Sequence, residues 1–348
     1  MSKIFWKYAV FFLLCSAIMT QGTAQPQEVS LLPTINRHPR THTPSGVVKK
    51  TLFTPWRTGP LLTPGAHVSS PGSLGVQPSI HVRKTFAKFD PLRHLKRLSD
   101  DIWTVQPTLL IQMGWLSWLD FSINTGAFYT TQAQERAFHW GDSSLALGIQ
   151  LLEEHDSLPA VKLSVTESFP LGKYEKLDPR KKGIDATGSG SYITKLGLDF
   201  SKEFDCFSAH PVVCSVAFSY DIPTSAHVRG YNTYGGGEGT KGSVKVGHTT
   251  EIGAGIELSL TQEWVFALDI AYTHSNRSTF SGDRGTALIK TGSPPSVGTP
   301  SGYYLSTALA IEYNHSEHLG CIAGVWFPIV GRNSPAFVTG VLSMSYSW

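Results

Sequence analysis

The 348-residue sequence predicts an all-β protein, a transmembrane antiparallel up-and-down β-barrel of about 12 strands. Three observations support this prediction: a final strand that ends on an aromatic residue, a series of alternating segments before it, and a secretory signal at the amino terminus. Only 16% of the residues are charged and 41% are hydrophobic, yet no apolar run after residue 24 is long enough for a membrane helix. A barrel needs no such run, because only every second residue faces lipid.

The amino terminus has the three parts of a secretory signal peptide. Lys3 and Lys7 supply positive charge, an apolar run covers residues 8–19, and small residues precede a cleavage site after Ala24. The run is shorter than the roughly 20 residues that span a bilayer. Lipid modification of Cys15 is an open alternative, although a bulky residue precedes this cysteine. We therefore predict that residues 1–24 are a cleaved signal peptide.

Residues 25–71 form a Pro-rich segment without clear periodicity. Seven prolines lie from Pro26 to Pro64, and proline cannot donate to a β-ladder. We predict an irregular segment that lies in the periplasm or enters the lower mouth of the barrel. Trp56 is isolated in this segment and needs a place to bury, so we expect it to pack against the barrel base.

The barrel is predicted over residues 72–348, where twelve segments alternate between apolar and polar side chains. Each has about the ten residues that a tilted spanning strand requires. The segments are 72–85, 102–114, 118–130, 140–153, 159–169, 190–203, 210–222, 246–260, 263–275, 302–314, 317–328 and 335–348. Trp264 and Tyr272 bracket the apolar positions of one segment, which is typical of aromatic residues at membrane interfaces.

The connections between these segments alternate between short and long. The short ones include residues 115–117 and 261–262, whereas the long ones include 86–101, 170–189 and 223–245. Outer-membrane barrels have short periplasmic turns and longer extracellular loops. The alternation therefore predicts an even number of strands, with both ends of the barrel chain in the periplasm of a Gram-negative envelope.

The final strand, residues 335–348, resembles the terminal strand of bacterial outer-membrane barrels. In such barrels the barrel assembly machinery recognises the closing strand and its last aromatic residue. Alternate residues share one face of a strand, so the apolar side chains of this segment should face outer-membrane lipid. The predicted assembly signal consists of Val338, Leu342, Met344, Tyr346 and Trp348.

Three stretches carry a resemblance to a known family. Residues 53–80 (FTPWRTGPLLTPGAHVSSPGSLGVQPSI), 188–204 (GSGSYITKLGLDFSKEF) and 247–273 are similar to outer-membrane proteins described as transporters of the MetA pathway of phenol degradation. The resemblance implies a porin-like barrel that takes up hydrophobic or aromatic compounds. It does not define a substrate-binding residue, and the transported solute stays unknown.

Polar residues at inward parity are the candidate functional residues. The predicted lumen-lining residues are His81, Arg83, Asp120, Lys162, Lys195, Asp199, Asp221, Glu251, Glu257, Asp269 and Glu312. In a narrow barrel such charges can pair across the interior and only stabilise it. The alternative hypothesis is that Glu251, Glu257, Asp269 and Glu312 form an acidic strip that favours cations or polar-headed solutes.

The sequence gives no sign of an enzyme or of a cofactor. The adjacent pairs His274-Ser275 and His315-Ser316 point to opposite faces of a strand, so neither forms a catalytic dyad in a regular strand. The four cysteines show no zinc-binding spacing, and we predict no metal site. The net charge of +3 falls to +1 without the two signal-peptide lysines, so nucleic acid is not an expected partner. We predict a channel, with a structural or adhesive surface barrel as the alternative.

Overall fold

The computed structural model describes residue 53 and residues 55–207, 210–287 and 295–348, without the side chains of residues 205–207. The predicted signal peptide, its cleavage after Ala24 and most of the Pro-rich segment lie outside these residues. No helix in the described ranges is long and apolar enough to cross a membrane.

Twelve long strands pair in chain order and form a closed antiparallel barrel. They are β1 (Leu74–Phe89), β2 (Leu95–Leu116), β3 (Leu119–Gln132), β5 (Ser143–Leu152), β6 (Ala160–Phe169), β7 (Ile193–Phe207), β8 (His210–Pro223), β11 (Thr249–Ser259), β12 (Trp264–Ser275), β14 (Gly302–Asn314), β15 (Leu319–Arg332) and β16 (Ser334–Ser347). Pairing of β1 with β16 closes the barrel. The predicted fold class and the strand number are confirmed.

Four shorter strands lie at the end of the barrel with the long connections, which is the extracellular end. They are β4 (Glu135–Trp140), β9 (Ser225–Arg229), β10 (Lys241–Lys245) and β13 (Thr279–Asp283). Strand β4 forms a hairpin with β3, whereas β9, β10 and β13 form a separate three-stranded sheet. Val228 and Val244 belong to the apolar core that packs beside this sheet. A single-turn 3-10 helix, Pro179–Lys181, lies in the connection before β7.

The outer surface of the barrel carries the apolar residues of the alternating pattern. In β16 and at the residue after it, the exposed outward side chains are Val338, Leu342, Met344, Tyr346 and Trp348, as the strand parity predicts. The intervening Thr339, Ser343 and Ser345 are buried inside the barrel. Recognition of this strand by the assembly machinery stays a prediction.

Aromatic side chains group at the periplasmic rim of this outer surface. The rings of Trp264 and Tyr313 lie 4.8 Å apart, and those of Tyr346 and Trp348 lie 5.5 Å apart. Rings with a polar atom at the edge suit the boundary between lipid and water. These pairs therefore mark the periplasmic border of the lipid-facing belt.

The stretch of residues 86–101, predicted as a long loop, is mostly strand. Strands β1 and β2 continue beyond the membrane as a paired ribbon, interrupted by an irregularity between Thr85 and Ala87. Asp90 organises the turn, because its carboxylate accepts hydrogen bonds from the backbone N–H groups of Leu92 and His94 at 2.8 and 2.9 Å. The prediction of a loop was wrong because this stretch lies outside the lipid-facing belt. Its many charged side chains interrupt the alternation of apolar and polar residues by which strands were recognised.

Candidate functional site

The interior of the barrel holds a segment of the chain's own amino-terminal region. This segment, residues 55–73, is called the arch. It begins at the β11–β12 turn, where the Trp56 N–H donates to the Gln262 carbonyl at 2.9 Å. It ends beside β2, where the Gly72 N–H donates to the Gly114 carbonyl at 2.9 Å. The arch therefore crosses the periplasmic half of the lumen before the chain enters β1.

Carboxylates of the lumen wall bind the first half of the arch. Asp269 accepts hydrogen bonds from the backbone N–H groups of Leu61, Leu62 and Thr63 at 2.9, 3.3 and 3.0 Å. Glu312 accepts the Thr58 N–H at 2.7 Å. A buried irregular backbone has no ladder to satisfy its donors, so the wall must supply acceptors.

The wall is also shaped to receive the arch. A Cβ at Gly324 of β15 would lie only 2.4 Å from the Leu61 Cδ1 atom, so only glycine leaves room for this leucine. Leu61 and Leu62 belong to one buried apolar cluster with Ala308 and Ala310 of β14. Small side chains on the wall thus form the recess that the arch leucines fill.

The second half of the arch is bound mostly by neutral groups on the opposite wall. The Ala66 N–H donates to the Ser201 hydroxyl at 3.0 Å, and the Val68 N–H donates to the Gln150 side-chain oxygen at 2.9 Å. The Ser69 N–H donates to the Asp120 carboxylate at 2.9 Å. The backbone N–H groups of this half therefore have one carboxylate acceptor, whereas those of the first half have two.

Arg57 adds an ion pair at the base of the arch. Its guanidinium donates to Glu203 of β7 at 2.7 Å and to the Ser259 hydroxyl of β11 at 3.2 Å. Both members of the ion pair are largely shielded from solvent, with side chains 15% and 10% exposed. The pair ties the arch to the two strands on either side of β8.

A second charged network lies within the wall and does not involve the arch. Lys195 of β7 lies 2.8 Å from Glu251 of β11 and 3.6 Å from Asp221 of β8. Lys162 of β6 lies 3.9 Å from Asp199 of β7. These pairs join neighbouring strands on the inside of the barrel, where the side chains are shielded from lipid.

The structure places the predicted lumen residues inside the barrel, but it gives them different partners. All eleven are buried or half-buried at inward parity: His81, Arg83, Asp120, Lys162, Lys195, Asp199, Asp221, Glu251, Glu257, Asp269 and Glu312. Within the hypothesised acidic strip, Asp269 and Glu312 bind the arch and Glu251 binds Lys195. The hypothesis of cation selectivity stays a prediction. Sequence reasoning placed these acids by parity but did not identify the arch as a partner.

The lumen wall has a side that is rich in apolar residues, called the apolar side although Asp269, Glu312 and Thr339 also lie on it, and a polar side. Strands β12 to β16 contribute buried apolar residues, namely Ala267, Ala271, Tyr304, Ala308, Ala310, Ile322, Trp326, Phe337 and Val341. Strands β2 to β8 contribute polar residues, which include Thr108, Gln112, Asp120, Gln150, Lys162, Asp199 and Ser215. The sequence did not reveal the inward Trp326, because both parities of that segment are apolar.

Comparison with solved structures reveals a similar barrel. An outer-membrane channel from Pseudomonas putida F1 matches with a TM-score of 0.64 and 8% sequence identity, over 81% of this chain and 98% of the channel. The translocator domain of the autotransporter NalP from Neisseria meningitidis matches with a TM-score of 0.44 and 12% identity, over 80% and 89% of the two chains. A deltaS2S3 mutant of the TodX monoaromatic hydrocarbon channel matches with a TM-score of 0.40 and 10% identity, over 80% of this chain and 91% of the mutant channel. The two lower scores do not distinguish one barrel from another.

Sequence comparison adds no family. No family model matches the chain, and no curated protein is significantly similar to it. The resemblance to the MetA-pathway family therefore stays a prediction. At 8% identity, the match to the Pseudomonas putida channel establishes a shared fold. The chain is thus a twelve-stranded barrel of the outer-membrane type, similar in fold to that channel.

Proposed function

We propose that the protein is an outer-membrane channel for small apolar or amphipathic solutes, including aromatic ones. The observation that carries this proposal is the apolar side of the lumen wall, where Tyr304, Trp326 and Phe337 point inward among aliphatic side chains. A passage for hydrophilic solutes gains nothing from such a surface. An apolar solute gains about 25 cal/mol for each Å² that it buries.

The polar side of the same lumen suits the other part of an amphipathic solute. Thr104 and Thr130 hydroxyls lie 3.3 Å apart on β2 and β3, and half-buried Gln106 and Ser144 share the inward face of this side. A solute with an apolar body and a polar group can therefore contact a matching surface on each side. Hydrophobic pockets with a few placed polar groups are typical of small-molecule sites.

The arch lies on this path, so passage requires it to leave part of the wall. A Cβ at Gly253 of β11 would lie 3.7 Å from the Thr63 Cβ, within the range of natural disulfides. The variant Thr63→Cys with Gly253→Cys can therefore fix the arch to the wall reversibly. This variant is built on a parent in which serine replaces the three cysteines outside the predicted signal peptide, namely Cys206, Cys214 and Cys321.

The experiment measures entry of the apolar dye 1-N-phenylnaphthylamine into Gram-negative cells that produce each protein in the outer membrane. Cells with the serine-substituted parent should take up the dye faster than cells without the barrel. The oxidised double-cysteine variant should lose this increase, and a reductant should restore it. The parent is the matched control, because reductant should not change its rate. Equal uptake with and without the barrel would contradict the proposal and favour a structural or adhesive barrel.

A further inference from the structure

Three residues on neighbouring strands meet at one level of the lumen wall. Arg83 of β1 lies opposite Thr339 of β16, and Thr339 lies opposite Trp326 of β15. The Arg83 Nε–H donates to the Thr339 hydroxyl at 3.1 Å. The guanidinium carbon lies 4.4 Å from the centre of the Phe337 ring and 5.1 Å from that of Trp326. A positive charge is therefore held against the aromatic part of the apolar wall.

Two polar atoms beside this charge are buried without a hydrogen-bond partner among the residues that the structure describes. They are the indole Nε1 of Trp326, whose side chain is at least nine-tenths buried, and the Nε2 of His81, two residues before Arg83. An indole N–H can only donate, and a guanidinium can only donate. A buried donor without an acceptor is costly, so the indole N–H of Trp326 is a position where an acceptor group of a ligand would be favoured.

The arch covers the apolar part of this level but does not supply the acceptor. Leu61 and Leu62 belong to the same buried cluster as Trp326 and Phe337. Leucine side chains fill space against aromatic rings, but they cannot accept a hydrogen bond from the indole. The missing partner therefore joins an apolar body, which replaces the leucines, to a group that accepts hydrogen bonds.

We propose that Arg83, Trp326 and Thr339 bind the carboxylate of an amphipathic solute, whose apolar body takes the place of Leu61 and Leu62. A carboxylate accepts hydrogen bonds through two oxygens and matches the charge of the guanidinium. A cationic solute would be repelled, and a purely apolar solute would leave the indole N–H unpaired. This inference rests on the proposed channel function and specifies the class of solute that its lumen prefers.

The test compares two probes of similar shape, 4-tert-butylbenzoate and the uncharged 4-tert-butylbenzamide. Binding to the purified full-length barrel in lipid nanodiscs is measured by equilibrium dialysis, with empty nanodiscs subtracted. Wild type should bind the benzoate about tenfold more tightly than the amide, the size of effect expected for a charge-assisted bond. Arg83→Met should remove this preference. Trp326→Phe keeps an aromatic ring and should weaken benzoate binding about threefold or more.

Lys84→Met is the matched control, because Lys84 also lies over an aromatic ring, that of Trp103, on the opposite face of the same strand. It should leave both affinities unchanged. Heat-modifiable mobility on gels reports folding, and Trp326→Phe carries the test if Arg83→Met does not fold. Equal binding of the two probes to wild type, with dye uptake intact, would overturn the carboxylate site alone. Binding of neither probe, together with absent dye uptake, would overturn the channel function as well.

Discussion

At both ends of the barrel, buried or half-buried carboxylates accept hydrogen bonds from backbone N–H groups, but the donors lie at different distances along the chain. At the extracellular end, Asp90 binds N–H groups only two and four residues away, and Asp142 binds those of Gly172 and Ser189. At the periplasmic end, Asp269 binds N–H groups of the arch that lie more than two hundred residues away.

This difference separates two kinds of structural element. Local carboxylate bonds shape loops that belong to the strands they connect. The distant bonds of Asp269 and Glu312 instead attach an element that is not a strand of the barrel sheet and fills a recess in a complete barrel. We therefore expect that the arch can be released while the barrel stays folded, whereas the extracellular loops cannot be released as a unit.

Replacement of Asp269 by asparagine should have the largest effect on the arch. Three backbone N–H groups lose a charged acceptor, at about 1.5–3 kcal/mol for each bond, and the new amide group places a donor near them. Limited proteolysis of the purified protein should cut the arch faster, and the single-channel conductance in planar bilayers should rise.

The matched control for this prediction is Glu251→Gln, which also changes a buried lumen acid. Glu251 binds Lys195 rather than the arch, so arch proteolysis should stay slow even if the barrel melts at a lower temperature. Equal exposure of the arch in both variants would show that any disturbance of the lumen releases it. That result would remove the distinction between the two acidic groups.

Replacement of Gly324 by alanine should have the next largest effect. The added Cβ would lie 2.4 Å from the Leu61 Cδ1 and 2.5 Å from the Leu309 carbonyl oxygen, so the wall becomes overpacked by about 1–3 kcal/mol. Thermal unfolding should show this loss. Addition of Leu61→Ala should recover only the part that comes from the arch, because the contact with the carbonyl remains.

Gly340→Ala on β16 is the matched control for this prediction. A Cβ at Gly340 meets nothing within 4 Å, and the position faces outward. It should leave the unfolding temperature within about a degree of wild type, since surface changes of this kind have small effects. A loss as large as that of Gly324→Ala would mean that alanine weakens these strands without any contact with the arch.

Features that follow from local spacing could be predicted from the sequence, whereas contacts between distant segments could not. The strands and their lipid-facing residues follow a local alternation, so the twelve segments could be found from spacing alone. The partner of Asp269 could not be found in this way. Every residue except proline has a backbone N–H group, so the residue type does not mark the donor, and Leu61 lies 208 positions away. The role of Gly324 could not be predicted either, because Leu61, the side chain that it accommodates, lies outside the strand of Gly324.

Two other features were hidden for different reasons. The inward position of Trp326 is masked because Val325 and Phe327 beside it are also apolar, so parity does not separate lumen from lipid there. Strands β9, β10 and β13 have five residues each and lie between Gly-rich turns, which resemble loop sequence. Their pairing is fixed by contacts between distant loops, not by the length of an alternating run.

Replacement of Asp142 by asparagine should have a local effect. Its carboxylate accepts bonds from the Gly172 N–H at 2.9 Å and from the Ser189 N–H at 2.8 Å. The amide nitrogen of asparagine places a donor against one of these N–H groups, which a protonated carboxyl does not do to the same extent. We therefore expect faster hydrogen exchange in residues 170–192, a local loss of about 1–3 kcal/mol, and no change in proteolysis of the arch. Release of the arch by this variant would contradict the separation of the two ends.

The smallest expected effect is the pH dependence of the stability of the turn between β1 and β2. Burial acts to raise the pKa of Asp90, but hydrogen bonds from His94 and Leu92 and the nearby Lys96 outweigh it and hold the pKa below its ordinary value. A carboxyl whose pKa is lowered by folding stabilises the fold above its unfolded pKa, and this contribution is lost as the pH falls through the folded pKa. Hydrogen exchange in residues 86–99, corrected for intrinsic rates, should therefore become faster below about pH 4.

The loop held by Asp142 should respond to acid in the opposite sense, which makes it an internal control. Burial raises the pKa of Asp142 despite the hydrogen bonds from Ser189 and Gly172, so its ionised form costs stability and acid relieves that cost. Protection of residues 170–192 should hold or rise over the pH range in which the β1–β2 turn loosens. In Asp90→Asn the turn should lose its pH dependence. If both regions loosen together in acid, the loss is global and the Asp90 bonds do not control it.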